Sequence, residues 1–202
     1  SGVNIDAFGF NAALPKIYKE AGIENFVTQK LRYNEFTVFP YIHFWWEGDD
    51  GSRILALHVY PGHSNHIDAD ELSSIVRVFH MTDGIYNIPV MWGYGNHGGG
   101  PQQRMLERIG ELKTLTVYPN LKYNGFKGYF DIIRHEEEEA LQNLPVIKNE
   151  LFLETHHKTF TGQGRVKETE RECERRLLAA EALTALAQGK DSGNMQTLFD
   201  EA

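Results

Sequence analysis

Short apolar runs alternate along the chain with segments whose apolar residues recur every three or four positions. The short runs are typical of strands, and the recurring pattern is typical of helices that bury one face. The predicted strands are 24–30, 53–60, 88–92, 115–118 and 146–154, and the predicted helices are 9–22, 68–80, 101–113 and 125–142. Strands that alternate with helices indicate a parallel β/α organisation, as a barrel or as a doubly wound sheet.

The pattern changes from Arg165 onward, where one long helix is predicted. Its apolar stripe is narrow and its remaining positions are charged, so the helix needs partners that cover the stripe. We therefore expect residues 1–162 to form the β/α domain and residues 163–202 to begin a helical bundle. The stripe consists of Val166, Cys173, Leu177, Ala180, Leu183 and Thr184.

Composition narrows the classes of protein to consider. Hydrophobic residues make up 41% of the 202 residues and aromatic residues 12%, which is enough for a packed core. The formal net charge of -8 disfavours binding to nucleic acid or to anionic membranes. The single cysteine, Cys173, excludes an internal disulfide and favours a reducing compartment such as the cytoplasm. No run of about 18 apolar residues predicts a membrane span.

The glycine-rich stretch G-Y-G-N-H-G-G-G-P, residues 93–101, lies between a predicted strand and a predicted helix. It contains G-x-G-x-x-G, but the next predicted strand lacks the terminal carboxylate that binds ribose in dinucleotide-binding folds, which disfavours a cofactor site. Two alternatives stay open. The stretch is either a tight turn or a substrate-binding loop at the carboxyl end of a barrel strand, and the barrel architecture favours the loop.

Two further stretches carry candidate chemistry. In N-I-D-A-F-G, residues 4–9, Asp6 follows a predicted strand and precedes a helix, so it could act as a nucleophile, as a metal ligand or equally as a helix N-cap. In F-W-W-E-G-D-D-G-S-R, residues 44–53, three aromatic residues precede a turn. Exposed tryptophan faces suit sugars, but the pattern favours packing in the core.

Histidines suggest two weaker candidates. The spacing of His63 and His66 could hold a metal ion, but no cysteine or carboxylate partner accompanies them in the sequence. The adjacent pair 156–157 follows a predicted strand, so we expect these side chains to line the rim of a pocket.

Five stretches together resemble the α-mannosidases of glycoside hydrolase family 38. The resemblance runs in order from residue 4 to about residue 187, and R-E-C-E-R-R-L-L-A-A-E continues it. The five stretches are N-I-D-A-F-G-F-N-A-A-L-P-K-I, F-V-T-Q-K-L, F-W-W-E-G-D-D-G-S-R-I-L, G-Y-G-N-H-G-G-G-P and E-L-F-L-E-T-H-H-K-T-F-T.

The resemblance implies part of a parallel β/α barrel of the seven-stranded type, followed by the first helix of a three-helix bundle. It implies a retaining hydrolase that cleaves terminal α-D-mannosides with the help of one Zn²⁺ ion. Asp6 matches the family's nucleophile, which is also a zinc ligand. Phe8 matches a wall that stacks on the sugar, Lys30 matches a basic residue near the nucleophile, and His156 is expected to contact substrate.

The sequence departs from the family pattern at two places. Asn96 stands where similar sequences have the aspartate expected to be the general acid/base, so His97 or another acid must donate the proton, or catalysis is impaired. The family's other zinc ligands, in a His-x-Asp motif and a His-Asp pair, are missing from the chain. We therefore expect an internal segment of a longer enzyme, inactive in isolation, whose partners are mannose-containing glycosides and the rest of that enzyme. The alternative is a non-catalytic carbohydrate-binding or interaction domain derived from the same family.

Overall fold

The computed structural model describes residues 1–95, 99–117, 119–156 and 162–187. The chain divides into two compact units, Ser1–His157 and Lys158–Ala202. The strands of the first unit are β1 (Gly2–Val3), β2 (Asn25–Thr28), β3 (His43–Glu47), β4 (Arg53–His58) and β5 (Val146–Lys148). Its helices are α1 (Leu14–Glu20), α2 (Ala69–Thr82), α3 (Gln103–Leu112), α4 (Phe126–Glu136) and α5 (Glu138–Gln142), with a 3-10 helix at Lys30–Arg32. The second unit contains α6 (Gly164–Ala187).

The five strands form one mixed sheet in the order β1-β2-β4-β3-β5. β1, β2 and β4 are parallel neighbours, as the alternation of strands and helices predicts, and β3 is parallel to β5. The pairing of β3 with β4 is antiparallel, so the prediction of a purely parallel sheet is wrong at this point. The described residues confirm a mixed α/β fold, whereas the seven-stranded barrel stays a prediction.

The unpredicted antiparallel pair arises from the turn between the two strands. Gly48 N–H donates to Ser52 O at 2.9 Å, and Gly51, at φ 83°, adopts the left-handed conformation that glycine favours. The Asp50 carboxylate accepts hydrogen bonds from Ser52 N at 3.0 Å and from the Ser52 hydroxyl at 2.9 Å. A turn of this composition between two apolar runs joins them as a hairpin.

Two of the predicted strands are not strands in the structure. Residues 88–92 make one isolated bridge, between Asn65 and Trp92, and residues 115–117 are irregular, while Tyr118 lies outside the described residues. Apolar side chains of 88–92 still pack against the core, which explains the apolar pattern without a strand. Apolar content therefore reported partial burial but not backbone pairing at 88–92, whereas at 115–117 it reported neither, since Leu115 and Val117 are exposed.

The helix predictions are correct in place and differ in length. The helix predicted over 9–22 begins only at Leu14, because the backbone of Phe10 pairs with that of Leu151. The helix predicted over 125–142 is divided into α4 and α5 at Glu137. The Glu137 carboxylate accepts hydrogen bonds from the backbone N–H groups of Tyr86, at 2.6 Å, and Asn87, at 2.7 Å.

Both faces of the sheet are buried. Along β2 and β4 successive residues alternate between two hydrophobic clusters, with Val27 in one and Phe26 in the other. The aromatic residues of the second cluster include Phe44 and Trp46, which are fully buried, and the Trp46 indole N–H donates to Asn149 O at 2.8 Å. The preference for core packing over exposed sugar-stacking in this stretch is therefore confirmed for these two residues.

A chain of buried polar groups links the sheet to its helices. His43 on β3 contacts Asp83, at the end of α2, through ring Nδ1 at 2.5 Å, and its backbone N–H donates to the same carboxylate oxygen at 3.0 Å. On its other side, ring Nε2 shares a hydrogen bond with the Tyr129 hydroxyl of α4 at 2.7 Å. Burial raises the pKa of Tyr129 well above its ordinary value, so this hydroxyl stays protonated.

The long helix α6 confirms the helix predicted from Arg165 onward. None of its described side chains is buried, and its apolar residues Val166, Leu177 and Leu183 are exposed. The bundle itself stays a prediction, and the tail from Gly189 to Ala202 lies outside the described residues. In the described part of the chain, no helix has the length and the apolar character needed to cross a membrane.

We expect Tyr129→Phe to lower the free energy of unfolding by about 1–3 kcal/mol, because it leaves a buried nitrogen of His43 without its partner. Denaturant unfolding monitored by tryptophan fluorescence measures this change. Tyr123→Phe is the matched control, since Tyr123 is exposed and its loss of a hydroxyl should cost less than about 0.5 kcal/mol. Equal effects of the two substitutions would show that the buried polar chain does not stabilise the fold.

Candidate functional site

The carboxyl ends of β1, β2 and β4 meet at one edge of the sheet because these strands are parallel. Asp6 follows β1, and Lys30 follows β2 in the 3-10 helix. Their side chains form an ion pair in which Lys30 Nζ lies 2.9 Å from Asp6 Oδ1. The structure thus brings together two residues that the sequence places 24 positions apart.

The two members of this pair differ strongly in exposure. The Lys30 side chain is 17% exposed and its ammonium lies 4.5 Å from the centre of the Tyr33 ring, whereas the Asp6 side chain is 75% exposed. Lys30 is therefore fixed by its surroundings and can orient the carboxylate, which stays open to an incoming molecule. An exposed carboxylate held by a buried cation is suited to contact a ligand from solvent.

Phe8 and His156 form a second part of the same edge. Their ring centres lie 4.6 Å apart with planes inclined at 58°. The segments that carry them are joined by a pair of backbone hydrogen bonds, from Phe10 N to Leu151 O and from Leu151 N to Phe10 O, both at 2.9 Å. The neighbouring His157 of the predicted rim lies outside the described residues.

Gly9 supplies a backbone conformation that this position requires. It adopts φ 103°, and a Cβ at this position would lie 3.5 Å from Leu151 O. Only glycine takes this conformation without strain. The D-A-F-G stretch therefore holds Asp6 and Phe8 in place partly through its glycine.

A carboxylate that sequence reasoning missed lies next to these residues. Glu154 accepts hydrogen bonds from the backbone N–H groups of Glu35 at 2.6 Å, Phe36 at 2.8 Å and Thr37 at 2.5 Å. Hydrogen bonding from the Thr37 side chain, and then from Phe36 N–H, lowers the pKa of Glu154 to about 2. No local pattern in the sequence reveals this contact, because donors and acceptor are more than 115 residues apart.

A buried histidine lies at the carboxyl end of β4. His58 Nε2 is 2.8 Å from Gln29 O, and burial is the main cause that lowers the pKa of His58 to about 4. The positive charge of Arg32 adds to the lowering, while the contact with Gln29 O opposes it. His58 is therefore neutral in the folded protein at neutral pH.

The described residues do not form a zinc site by themselves. Among them, no group of three or more histidine, cysteine, aspartate or glutamate side chains lies close enough to hold a metal ion. His63 hydrogen-bonds Gln29 through ring Nδ1, and the His66 ring packs against Tyr94 at 5.2 Å, so the structure does not pair these two histidines as ligands. Asp6 contributes one carboxylate, and that carboxylate contacts Lys30.

The base of the glycine-rich loop is a closed turn. Tyr94 N–H donates to Gly100 O at 3.0 Å, and Gly95 N–H donates to the Ser64 hydroxyl at 3.0 Å. Gly93 adopts φ 110°, and a Cβ there would lie 2.9 Å from Pro101 N. Asn96 and His97 lie outside the described residues, so their predicted roles stay predictions.

The chain is similar to known proteins in sequence and in fold. The family model of the N-terminal domain of the family 38 glycosyl hydrolases matches residues 1–159. The chain belongs to this family. The membership confirms the family resemblance that the five stretches predict.

Named relatives support the assignment. The chain is 37% identical to alpha-mannosidase 2C1 of Homo sapiens over 184 residues, covering 90% of this chain and 17% of that protein. It is 33% identical over 202 residues to alpha-mannosidase G of Dictyostelium discoideum, covering 97% of this chain and 18% of that protein. The chain thus spans less than a fifth of the length of these relatives.

A solved structure supports the fold. An alpha-mannosidase from Enterococcus faecalis V583 matches with a TM-score of 0.56 and 18% identity, over 74% of this chain and 18% of that one. At this identity the match shows a shared α/β fold. Roles of individual residues have to come from their own geometry.

The depressed pKa of His58 predicts a pH dependence of stability. Between its ordinary pKa of 6.5 and about 4, the unfolded chain binds a proton at His58 that the folded protein does not. We expect the free energy of unfolding to be unaffected by His58 above pH 6.5 and to fall by about 3 kcal/mol as the pH decreases to 4.

Unfolding by denaturant at several pH values measures this slope, and His58→Gln should reduce it. His66→Gln is the control, because His66 is exposed and should leave the slope as in the unmodified protein. If His58→Gln and the unmodified protein lost stability in parallel between pH 6.5 and 4, His58 would not be the group responsible.

Proposed function

We propose that this chain is part of the catalytic domain of a retaining α-mannosidase that hydrolyses terminal α-D-mannosides. The observation that carries the proposal is the exposed Asp6 carboxylate held by the partly buried Lys30 side chain. Its place at the carboxyl edge of parallel strands is where β/α enzymes place their catalytic groups. Membership of glycosyl hydrolase family 38 and relatives named alpha-mannosidases support the choice of substrate.

In the proposed reaction Asp6 is the nucleophile. One carboxylate oxygen bonds to the anomeric carbon while the bond from that carbon to the leaving oxygen breaks, and the leaving oxygen takes up a proton. Water then attacks the same carbon while the bond to the Asp6 oxygen breaks, and the group that donated the proton in the first step takes up the proton that the water loses, which releases mannose and restores the carboxylate. Two inversions give net retention. Lys30 orients the nucleophile, since its ammonium contacts one carboxylate oxygen at 2.9 Å and leaves the other unengaged by it.

Phe8 and His156 are the proposed contacts for the sugar. Sugar rings present an apolar face of C–H groups that packs against aromatic rings. The Phe8 and His156 rings are in contact at 4.6 Å, and Phe8 is two residues from Asp6. A mannose unit bound against Phe8 would therefore lie within reach of the nucleophile.

The proton donor is the open part of the proposal. Asn96 carries an amide, which has no acidic proton to deliver, and Glu154 is no substitute because three N–H groups occupy it and its pKa is about 2. We propose that His97, next to Asn96 in the glycine-rich loop, or a residue outside this chain fills the role. The rate of hydrolysis should therefore depend on whether the leaving oxygen needs a proton in order to depart.

We propose Zn²⁺ as the cofactor of the complete enzyme, with Asp6 as the ligand from this chain. The remaining ligands would come from parts of a longer polypeptide that these 202 residues do not include. A bound divalent ion would supply Lewis-acid stabilisation of developing charge at the sugar.

A second candidate is a non-catalytic carbohydrate-binding domain of the same family. Asn96 favours it, because the substitution removes an acid from the position where a proton donor is expected. A binding domain would retain affinity for mannosides without turnover, which separates the two candidates in one pair of measurements.

We expect Asp6→Asn in the complete enzyme to abolish turnover and to weaken zinc binding, because one carboxylate serves both roles in the proposal. Turnover is measured with an aryl α-mannoside, the covalent intermediate by mass spectrometry after reaction with a fluorinated mannoside, and bound zinc by elemental analysis. Asp49→Asn, an exposed change in the hairpin turn, is the control and should retain full activity. A trapped intermediate in Asp6→Asn would overturn the nucleophile assignment.

We expect Asn96→Asp in the complete enzyme to raise hydrolysis of alkyl mannosides by roughly a hundredfold to ten-thousandfold, the range for general acid catalysis. Aryl mannosides with activated leaving groups should gain far less, because their departure needs no proton. Comparing kcat/KM for the two substrate types provides the internal control. A gain of the same size on both, or none on either, would remove position 96 from proton transfer.

A further inference from the structure

We infer that Glu154 is a positioning residue for the candidate sugar site, and that its carboxylate holds residues 33–37 against the segment that carries His156. The inference rests on the proposed function for its kinetic consequence, while the contact itself is independent of any activity. We call the set of hydrogen bonds between Glu154 and residues 35–37 the Glu154 latch.

The latch concentrates three donors on one carboxylate. The backbone N–H groups of Glu35, Phe36 and Thr37 all donate to it at 2.5–2.8 Å. These residues lie outside the helices and strands, so their N–H groups have no ladder of their own. A carboxylate that accepts several N–H bonds stabilises such a turn more strongly than a neutral acceptor could.

Two further hydrogen bonds reinforce the latch from its sides. The Glu154 backbone N–H donates to Asn34 Oδ1 at 2.7 Å, and the Thr155 hydroxyl donates to Tyr33 O at 2.8 Å. Residues 33–37 are therefore joined to residues 154 and 155 by five hydrogen bonds, four through their backbone and one through the Asn34 side chain, in addition to the Thr37 side chain. All five contacts are polar.

Apolar burial does little to hold this loop. Phe36 and Val38 are each 84% exposed and contribute almost nothing to burial, so the apolar anchors are Leu31 and Phe39, which lie on either side of the latched residues and pack in the second hydrophobic cluster. A segment that is held by hydrogen bonds and not by apolar packing opens at low cost when those bonds are removed. The position of the loop thus depends on Glu154.

The latch joins the two parts of the candidate site. On one side, Tyr33 begins the latched loop, and its ring lies 4.5 Å from the Lys30 ammonium that pairs with Asp6. On the other side, His156 follows Glu154 by two residues and packs against Phe8. Releasing the latch would therefore free the nucleophile's partner and the sugar-contacting pair to move apart.

The charge state of Glu154 agrees with this role. Its pKa of about 2 means that Glu154 is ionised at neutral and mildly acidic pH, so there it accepts hydrogen bonds and does not exchange protons during a reaction. A positioning role therefore predicts a defect that is the same at all pH values and for all leaving groups.

The test compares Glu154→Gln with Glu154→Asp and with Glu150→Gln in the complete enzyme. Gln has one acceptor oxygen and an NH₂ group that faces the donors, and Asp keeps the charge with a shorter reach. Glu150 is exposed in the same segment and takes no part in the latch, so its substitution is the matched control. Hydrogen exchange at the amides of 35–37 is measured by NMR or mass spectrometry.

We expect Glu154→Gln to speed amide exchange at 35–37 by about tenfold or more and to lower kcat/KM on an aryl α-mannoside by a similar factor, with Glu154→Asp between it and the unmodified enzyme. Alkyl and activated aryl mannosides should lose alike, and the pH–rate profile should keep its shape. Glu150→Gln should change none of these. A role limited to overall stability would lower the unfolding midpoint and leave kcat/KM of the folded enzyme unchanged.

Three results would overturn the inference. If amide exchange at 35–37 were unchanged in Glu154→Gln, the latch would not hold this loop. If exchange were faster but kcat/KM were unchanged, Glu154 would not be a positioning residue. A loss confined to alkyl mannosides would make Glu154 a proton donor instead. If the unmodified enzyme neither cleaved aryl mannosides nor bound a mannose-configured iminosugar, the proposed function would fail together with the positioning role, while exchange would still decide whether the latch exists.

Discussion

The parallel pairing of β2 with β4 determines where the candidate site lies. Four consecutive register pairs, from Asn25 with Leu55 to Thr28 with His58, fix these strands in the buried middle of the sheet. Because parallel strands end at the same edge, the segments that follow them emerge together, and Arg32 lies over the Tyr60 ring at 4.8 Å. β1 joins the same edge through its pairing with β2, which brings Asp6 to Lys30.

Sequence reasoning predicted this part of the fold well because its signals are local. Continuous apolar runs identified β2 and β4, and helical spacing identified α2 and α3, since both patterns follow from burial within a few residues. It missed β3 because the aromatic run 44–46 was interpreted as core residues ahead of a turn and not as a strand, although a turn of glycine and aspartate between two apolar runs predicts a hairpin. It added a strand at 88–92 because apolar content reports burial and not pairing, and one at 115–118 where Leu115 and Val117 are in fact exposed.

The residues of the candidate site likewise include some that local sequence signals predict and one that they do not. The proximity of Asp6 and Lys30 follows from two strand ends and from the family resemblance, so the sequence could supply both residues. Glu154 could not be found, because its three donors lie more than 115 residues away and belong to a segment without periodicity. Contacts of this kind depend on the path of the backbone between elements, which local patterns do not encode.

The chain holds its core and its site by different forces, and this difference has a consequence in acid. The core contains apolar side chains buried on both faces of the sheet, and these side chains do not titrate in acid. The edge is held by polar groups whose pKa values are depressed, to about 4 for His58 and about 2 for Glu154.

A depressed pKa contributes stability that is complete above the ordinary value and is lost as the pH falls through the folded value. As the pH falls, the stability of the edge therefore decreases between pH 6.5 and 4 because of His58 and below about 4.5 because of Glu154. Both groups act in the same direction. Acid should therefore weaken the edge that carries the site, because His58 and Glu154 lie there, whereas the side chains of the two apolar clusters do not titrate in acid.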